Sequence, residues 1–270
     1  MQVSATIVTY KNSHEMLNKA ISSFLNTEMD VKLYIVDNSP TDEIKTLCND
    51  SRIEYIFNNA NVGFGAGHNV IMRQPEKMGE YHIVLNPDIY YEEGVIEGLY
   101  EYMEKNSDVG NVMPKVLYPD NKIQFLCKLL PTPTDWIGRF FVPSKKWKER
   151  RNYNFEMKFT DYNSEMSVPY LSGCFMFLRK SVIQELGVFD EGIFMYGEDT
   201  DLSRRIYVKY RNIFYPNVIV FHEFAKGSHK SFRLFWIHVK AAVYYFNKWG
   251  WFVDKERKSI NDKVKRTYCK

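Results

Sequence analysis

Residues 81–88 have the sequence Tyr-His-Ile-Val-Leu-Asn-Pro-Asp, a short apolar run that ends in a polar triplet. A run of this length, rich in β-branched and aromatic residues, is typical of a buried strand. Pro87 cannot donate a hydrogen bond to a neighbouring strand, so the strand should end before it. Asp88 would then lie at the carboxyl end of a strand, where open α/β sheets bind ligands. On its own, Asn-Pro-Asp is also typical of an ordinary turn.

Strands and helices alternate along the first half of the chain. Apolar runs predict strands at residues 3–10, 32–36 and 52–57, and helical patterns lie between them. This alternation favours βαβ units and a mostly parallel sheet. Polar triplets follow two of the strands, Asp37-Asn38-Ser39 and Asn86-Pro87-Asp88. Both triplets would lie at the same edge of such a sheet, where a nucleotide can bind.

The second half predicts two further strands and an acidic helix start. The strands are expected at residues 168–178 and 212–221, and His222 directly follows the latter, where a histidine is a candidate metal ligand. The segment Glu198-Asp199-Thr200-Asp201 holds three carboxylates at a predicted helix N-terminus. Such carboxylates repel one another unless a cation, the helix N-terminus or a bound proton relieves them.

The pattern divides the chain into a large domain and a C-terminal extension. We predict an α/β domain over residues 1–225, with a nucleotide-binding half at 1–117 and an acceptor-binding half at 118–225. An irregular insertion at about 119–166 carries several prolines and a basic run, and segments of this length without periodicity are usually functional or mobile. Residues 226–270 predict an amphipathic helical extension with more aromatic residues than one core-facing stripe needs.

The composition is that of a globular protein with an uneven charge distribution. The 270 residues are 45% hydrophobic and 16% aromatic, which fits one large α/β domain. Residues 226–270 contain 12 Lys and Arg against 3 Asp and Glu, whereas the remaining residues contain 24 against 30. A basic, aromatic tail on an acidic body favours an anionic surface as partner, and this composition suits a helix at a membrane interface.

The sequence also predicts where the protein works. The four cysteines match no zinc or redox spacing, as expected in a reducing compartment. No basic-then-apolar leader precedes the first strand, and no apolar run approaches the roughly 18–20 residues that cross a bilayer. We therefore expect a cytoplasmic protein, bound peripherally at the inner face of the cell membrane through its basic tail. Because no nucleic-acid-binding module is recognisable, nucleic acid is not an expected partner.

Taken together, the motifs resemble those of the inverting glycosyltransferases of family 2, which adopt the GT-A nucleotide-diphosphosugar fold. The resemblance is closest to bacterial rhamnosyltransferase-like members that build O-antigen, capsule or wall polysaccharides. It extends from about Val3 to about His222, and seven segments in the right order make it specific. These segments are Ile7-Val8-Thr9-Tyr10, Val36-Asp37-Asn38-Ser39, Asn61-Val62-Gly63-Phe64-Gly65-Ala66-Gly67-His68-Asn69, Leu85-Asn86-Pro87-Asp88, Leu171-Ser172-Gly173, Gly197-Glu198-Asp199-Thr200-Asp201-Leu202 and His222-Glu223.

The resemblance implies a nucleotide site built mainly by the first half of the chain. Thr9 and Tyr10 would line the nucleobase pocket, and Asp37 would accept a hydrogen bond from a pyrimidine ring N–H. Three further residues would lie against the ribose and diphosphate: Asn61, Gly63 and Asn69.

The resemblance also implies the metal, sugar and base residues. Asn86-Pro87-Asp88 occupies the place of the family's Asp-x-Asp motif, in which Asp88 would hold Mg²⁺ or Mn²⁺ against the diphosphate, and His222 would be a further ligand. Asp199 would be the general base that deprotonates the acceptor hydroxyl. The remaining residues expected near the donor and acceptor sugars are Ser172, Gly173 and Glu198.

Two departures from the family pattern bear on the reaction. Asn86 replaces the first Asp of Asp-x-Asp, so the predicted metal site lacks one negative charge. The chain also lacks the Gln-x-x-Arg-Trp motif of processive members, so it should add one or a few sugars.

The sequence leaves the donor and the role open between several alternatives. The first expectation is transfer of L-rhamnose from dTDP-rhamnose to a lipid-linked or polysaccharide acceptor. The same reaction with a UDP-hexose or UDP-galactofuranose is the second, and an inactive glycan-binding or scaffold relative is the third. A sugar-phosphate nucleotidyltransferase would require a glycine-rich, basic signature at the first strand, which Thr9-Tyr10-Lys11-Asn12 does not supply.

Overall fold

The computed structural model describes residues 1–138, 142, 144–223 and 232–269. The strands are β1 (Val3–Thr9), β2 (Val31–Asp37), β3 (Ile53–Phe57), β4 (Tyr81–Leu85), β5 (Ile89–Tyr90), β6 (Val109–Leu117), β7 (Cys127–Lys128), β8 (Met166–Ser167), β9 (Tyr170–Leu171), β10 (Phe175–Arg179) and β11 (Arg211–His222). Nine of them form a central sheet with the order β3-β2-β1-β4-β10-β6-β11-β5, and β8 pairs with β11 outside this path. Strands β1 to β4 are parallel, and β10 runs antiparallel between β4 and β6. The predicted α/β fold is confirmed, and the described sheet is mixed, because β5, β8 and β10 pair antiparallel with their neighbours.

Helices cover both faces of this sheet. The α-helices are α1 (His14–Leu25), α2 (Phe64–Met72), α3 (Val95–Lys105), α4 (Lys145–Phe155), α5 (Lys180–Leu186), α6 (Glu198–Lys209), α7 (Phe232–Trp249) and α8 (Lys255–Tyr268). Helices α1 and α3 share one buried apolar cluster with the sheet, and α2, α5 and α6 share the other. Because both faces are covered, β1 and β4 are buried along their whole length and appear in the sequence as continuous apolar runs.

The turn after β4 sets the position of the site. The backbone N–H of Asn86 donates to the carbonyl of Cys174, and that of Ile89 donates back to Asn86, which closes a tight turn around Pro87. Strand β5 then pairs antiparallel with the end of β11, so that Ile89 lies opposite His222. The predicted polar strand ends at Asn86-Pro87-Asp88 and at His222 are therefore adjacent.

Three expectations about the second half were wrong in detail. The predicted strand at 168–178 is two strands, because β9 pairs with β7 of the insertion whereas β10 enters the central sheet. The insertion at 119–166 is not irregular throughout, since it contains the whole of α4. The C-terminal extension is two helices rather than one, because Gly250 has a left-handed backbone (φ +100°) and Asp254 caps a new helix.

The last two helices pack onto the body of the molecule. Arg204 on α6 is 1% exposed and forms ion pairs with Asp254 (2.7 Å) and Glu256 (2.8 Å) at the start of α8. Trp136 of the insertion packs on Tyr245 and Phe246 of α7. The predicted domain boundary between residues 225 and 226 lies outside the described residues. Of the helices that the structure describes, none combines the length and apolarity needed to cross a membrane.

Candidate active site

One cavity of about 1000 Å³ is lined by seven of the thirteen predicted site residues. It opens at the carboxyl ends of β4 and β11, at the break between β9 and β10, and at the first turn of α6. The seven residues are Asn86, Asp88, Ser172, Gly173, Glu198, Asp199 and His222. The structure therefore brings together the residues predicted to bind the metal and the sugars and to act as base.

Asp88 and His222 lie side by side at the wall of this cavity, with Oδ1 of the aspartate 3.2 Å from Nε2 of the histidine. No donor among the described residues makes a hydrogen bond to this Asp88 oxygen. The Nδ1 atom of His222 lies 2.9 Å from Oε1 of Gln124. An amide oxygen only accepts, so Nδ1 carries a proton, and in the neutral imidazole Nε2 then has a lone pair directed at the carboxylate.

This arrangement fits a divalent cation. A lone pair and a carboxylate oxygen repel each other unless a cation or a proton lies between them. Two ligand atoms at about 2.1 Å from one octahedral ion are about 3 Å apart, close to the observed separation. No group of three or more His, Cys, Asp or Glu side chains in the described part of the chain could hold a metal alone. Substrate phosphate oxygens and water would have to supply the other ligands, as is usual for Mg²⁺.

Gln124 itself is held in one orientation. Its Nε2 atom donates to the carbonyl of His222 (3.0 Å), which turns Oε1 toward the imidazole. Metal-binding histidines usually have such a partner on the second ring nitrogen, which fixes the tautomer and the ring plane. Gln124 therefore presents Nε2 of His222 to the cavity.

Asp199 lies in the first turn of α6 with its carboxylate fixed by three neighbours. Oδ2 accepts from the backbone N–H of Gly173 (2.9 Å) and from the hydroxyl of Tyr170 (3.2 Å), and Oδ1 accepts from the N–H of Thr200 (2.7 Å). A Cβ added at Gly173 would lie 2.9 Å from that of Asp199, so only glycine allows this close approach. The result is an oriented carboxylate at the cavity wall, as a general base requires.

The mutual repulsion of the three neighbouring carboxyl groups in the first turn of α6 is reduced in three different ways. Asp199 accepts the backbone and hydroxyl donors just described. Asp201 is fully buried and accepts from Arg205 (2.9 Å), Lys248 (2.8 Å) and Trp249 (2.8 Å). Burial, followed by the charge of Asp199, raises the pKa of Glu198 well above its ordinary value, which favours the neutral carboxyl.

The six remaining predicted residues lie outside the cavity lining. They are Thr9, Tyr10, Asp37, Asn61, Gly63 and Asn69. Asp37 is fully buried and accepts from the Thr9 hydroxyl (3.0 Å), the Ser39 N–H (2.9 Å) and the Tyr55 hydroxyl (2.8 Å). Tyr10, at the adjoining end of β1, is 45% exposed.

The residues of the glycine segment make contacts within the protein. Gly63 has a φ of +96°, and a side chain there would collide with the carbonyl oxygen of Phe194. Asn69 is buried, with its amide donating to the carbonyl of Phe189 and accepting from the Phe189 N–H. Asn61 accepts from the N–H of Gly63 (3.2 Å). The contacts of Gly63 and Asn69 join α2 to the loop that leads into α6, where Glu198 and Asp199 lie.

The family model described as Glycosyl transferase family 2 matches residues 4–187 of this chain. The chain belongs to glycosyl transferase family 2. The match extends from β1 to the end of α5 and includes the Asn-Pro-Asp turn, and the predicted membership of family 2 is confirmed.

Among characterised proteins, this glycosyltransferase is similar to two named rhamnosyltransferases. It is 26% identical over 239 residues to N-acetylglucosaminyl-diphospho-decaprenol L-rhamnosyltransferase of Mycobacterium tuberculosis, covering 82% of this chain and 76% of that protein. It is 24% identical over 253 residues to rhamnosyltransferase WbbL of Escherichia coli, covering 88% and 91% respectively. It is therefore a rhamnosyltransferase-like member of the family.

The solved structure of the mannosyltransferase PcManGT from Pyrobaculum calidifontis, in complex with GDP-Man and Mn²⁺, has a similar fold. The TM-score is 0.63 at 14% identity, covering 98% of this chain and 69% of that one. At this identity the likeness establishes the fold, and the predicted GT-A fold is confirmed.

Sequence reasoning missed three residues of the candidate site. Gln124 orients His222, Tyr170 holds Asp199, and Trp136 lies over Gly197, where an added Cβ would be 2.5 Å from the indole. Gln124 and Trp136 belong to the insertion, where no periodicity distinguishes a side chain that faces the cavity. Tyr170 stands two residues before Ser172-Gly173, and this proximity was the one available signal.

Proposed function

We propose that this protein transfers a sugar from a nucleotide-diphosphate donor to an acceptor hydroxyl with inversion at the anomeric carbon. One observation supports this most strongly: the oriented Asp199 carboxylate and the Asp88–His222 pair line the same cavity. A carboxylate that can accept a proton and a site that can hold a diphosphate are the two requirements of the reaction.

In the proposed reaction, Asp199 acts on the acceptor. Its carboxylate takes the proton of the acceptor hydroxyl as that oxygen forms a bond to C1 of the donor sugar. The bond from C1 to the diphosphate oxygen breaks in the same step, and the nucleoside diphosphate leaves with the bonding electrons. A single displacement inverts C1 and needs no carboxylate nucleophile, in contrast to a retaining glycosidase. A positioned base of this kind contributes about 10²- to 10⁴-fold.

Asp88 and His222 would hold the divalent cation, Mg²⁺ or Mn²⁺. Bound there, the ion would supply Lewis-acid stabilisation of the charge on the departing diphosphate. Asn86, in place of a second carboxylate, leaves the site with one negative charge fewer. We therefore expect the free protein to bind the metal more weakly than a site with two carboxylates would. Metal binding should then depend more strongly on the substrate phosphates.

The donor that we propose first is dTDP-rhamnose, with a UDP-hexose or UDP-galactofuranose as the alternative. The two rhamnosyltransferases to which the chain is similar support rhamnose. Thr9, Tyr10 and Asp37 lie together at the ends of β1 and β2, next to the Asn-Pro-Asp turn in sheet order, and we propose this edge as the nucleobase site. Asp37 accepts three hydrogen bonds from protein donors, so its role there would include orienting Thr9 and the N–H of Ser39.

We propose a lipid-linked acceptor and docking of the protein on the inner face of the cell membrane. Helix α7 supports this proposal, because it lines the cavity and also carries exposed apolar side chains at the surface. His238 lines the cavity, whereas Phe232 and Trp236 on the same helix are 76% and 47% exposed. A bilayer in contact with the exposed face would therefore lie close to the cavity that receives the acceptor.

Calorimetric titration with dTDP, UDP and GDP, each with and without Mn²⁺, tests the donor site. We expect Mn²⁺-dependent binding of one pyrimidine nucleotide. Asp88→Asn should abolish the metal-dependent part, whereas Asp199→Asn should retain nucleotide binding and lose about 10²- to 10⁴-fold in transfer rate. Absence of binding by all three nucleotides would overturn the proposal and favour a glycan-binding or scaffold role.

A further inference from the structure

A left-handed turn directly precedes the helix that carries the proposed base. Tyr196 has a φ of +73° and Gly197 a φ of +143°, and α6 begins at the next residue. Glycine adopts such a backbone freely, whereas a bulky aromatic residue rarely does, so contacts from elsewhere must hold Tyr196 there. Because Asp199 lies two residues beyond the turn, the conformation of the turn affects where its carboxylate points.

An aromatic ring lies against each residue of this turn, and α7 supports both rings. The Tyr196 ring is stacked on the imidazole of His238, with the ring centres 3.7 Å apart and the planes inclined by 7°. Trp136 covers Gly197 so closely that an added Cβ would lie 2.5 Å from the indole. The residues of α7 on which Trp136 packs in turn are Tyr245 and Phe246. The turn is therefore held between the cavity lining and the C-terminal helix.

Helix α7 also holds the chain on both sides of the turn. Before the turn, Asp190 accepts from the hydroxyl of Tyr244 (3.0 Å) and from the ammonium of Lys248 (2.7 Å). A Cβ added at Gly192 would lie 2.2 Å from the Tyr244 ring, so the loop and the helix are in direct contact. After the turn, Lys248 forms an ion pair with Asp201 on α6 (2.8 Å). These contacts fix the segment that carries the base relative to α7.

We propose that His238 positions the base through its stack on Tyr196. The stack holds the left-handed turn in the conformation in which Asp199 accepts from the backbone N–H of Gly173 (2.9 Å). Helix α7 lies beyond residue 187, where the match to the family model ends, so this chain completes its active site with a helix outside the matched segment. His238 is then a positioning residue, which acts through Tyr196 rather than on the reacting atoms. The inference rests on the proposed reaction, in which Asp199 takes the acceptor proton.

Hydrogen exchange at the Gly173 amide reports the position of the base, because this N–H donates to Asp199. His238→Leu removes the flat ring and keeps an apolar side chain, whereas His238→Phe keeps a ring that can stack on Tyr196. We expect exchange at Gly173 to be about tenfold faster in His238→Leu and close to wild type in His238→Phe, as for a local opening. Amides of β1 and β2 should exchange as in wild type in both variants. Val243→Ala is the matched control, since Val243 is 37% exposed on the same helix.

Hydrolysis of the nucleotide sugar gives a second readout, with water in place of the acceptor. The substrate is dTDP-rhamnose or a UDP-hexose, according to which nucleotide binds in the titrations, and Mn²⁺ is present. We expect His238→Leu to lower kcat about tenfold, a part of the roughly 10²- to 10⁴-fold that a positioned base contributes. KM should stay unchanged, because the donor site is intact, and His238→Phe should restore kcat.

Four results would overturn the positioning role. Unchanged exchange at Gly173 in His238→Leu would show that the stack does not hold the base. An equally large change in His238→Phe would show that the ring face is not what matters, and one in Val243→Ala would indicate general loosening of α7. A raised KM with an unchanged kcat would assign His238 to donor binding. Because the exchange measurement needs no substrate, failure of the positioning role would leave the proposed reaction standing, whereas failure of nucleotide binding would not.

Discussion

Gln124 shows how a single side chain can determine the state of the proposed metal site. Its amide donates to the backbone of His222 and accepts from Nδ1 of the same residue, so it fixes both the tautomer and the ring plane. Without that acceptor, the imidazole could rotate or carry its proton on Nε2. In either case, the lone pair that faces Asp88 would be lost.

We therefore predict that Gln124→Met lowers Mn²⁺ affinity about 10- to 100-fold, the usual effect of losing the partner of a metal-binding histidine. Methionine has a similar length and shape, so nucleotide binding in EDTA and the midpoint of urea unfolding should stay close to wild type. The measurement is nucleotide binding as a function of Mn²⁺ concentration. His222→Gln, which removes the ligand itself, is the reference for complete loss. An unchanged Mn²⁺ dependence in Gln124→Met would refute the positioning role.

The residues of the site differ in how far the sequence could predict them. Asp88, Asp199 and His222 follow strand ends or open a helix, and these positions can be recognised from local patterns. Gln124 is 98 residues away from the histidine it orients, within a segment without periodicity. Its function depends on how the insertion folds over the sheet, which no local pattern specifies.

At the scale of elements, α6 connects the proposed chemistry to the C-terminal helices. Its first turn carries Glu198 and Asp199, and its buried Arg204 pairs with Asp254 at the start of α8. Asp254 is 3% exposed at its side chain, so loss of the arginine would leave a buried carboxylate without its principal cation. Removing one partner of such a pair costs far more than the pair contributes.

We predict that Arg204→Met lowers the free energy of unfolding by about 3–5 kcal/mol. The double variant Arg204→Met with Asp254→Asn should recover part of this loss, because no unpaired charge remains. Lys209→Met on the same helix is the matched control, since Lys209 and Glu185 form an exposed pair that should contribute little to stability. Urea unfolding of the four proteins gives the comparison. A loss below about 1 kcal/mol in Arg204→Met would show that the pair does not hold the C-terminal helices in place.

The sequence predicted the elements of the first half more accurately than those of the second. Strands β1, β2 and β4 are buried on both faces, so their apolar runs are continuous and have clear ends. The run at 168–178 is equally apolar but changes its pairing partner at Ser172-Gly173-Cys174. Apolar periodicity reports burial and gives no information on which strand a segment joins.

At the scale of the whole molecule, the exposed apolar side chains of α7 and of the turn after it suggest how the protein meets a membrane. Phe232 and Trp236 are exposed at the start of α7, and Phe252 and Val253 are 86% and 82% exposed in the turn before α8. Lys240 and Lys255 are exposed on the same two helices. Exposed aromatics with neighbouring cations suit an interface with anionic lipids.

Point substitutions test this docking better than truncation does, because the C-terminal helices supply the buried partners of Arg204. We predict that Trp236→Ser and the double variant Phe252→Ser/Val253→Ser each lower the partition of the protein onto phosphatidylglycerol vesicles about tenfold, as expected for loss of one or two buried apolar side chains. Raised salt should weaken binding of wild type, because the basic face contributes attraction that ions screen. Val208→Ser is the matched control, since Val208 is 52% exposed on α6, where we propose no contact with lipid. Sedimentation with the vesicles measures the partition. An equal loss in Val208→Ser, or wild-type protein that stays in the supernatant, would remove the membrane from the proposed function and leave the acceptor to be delivered in solution.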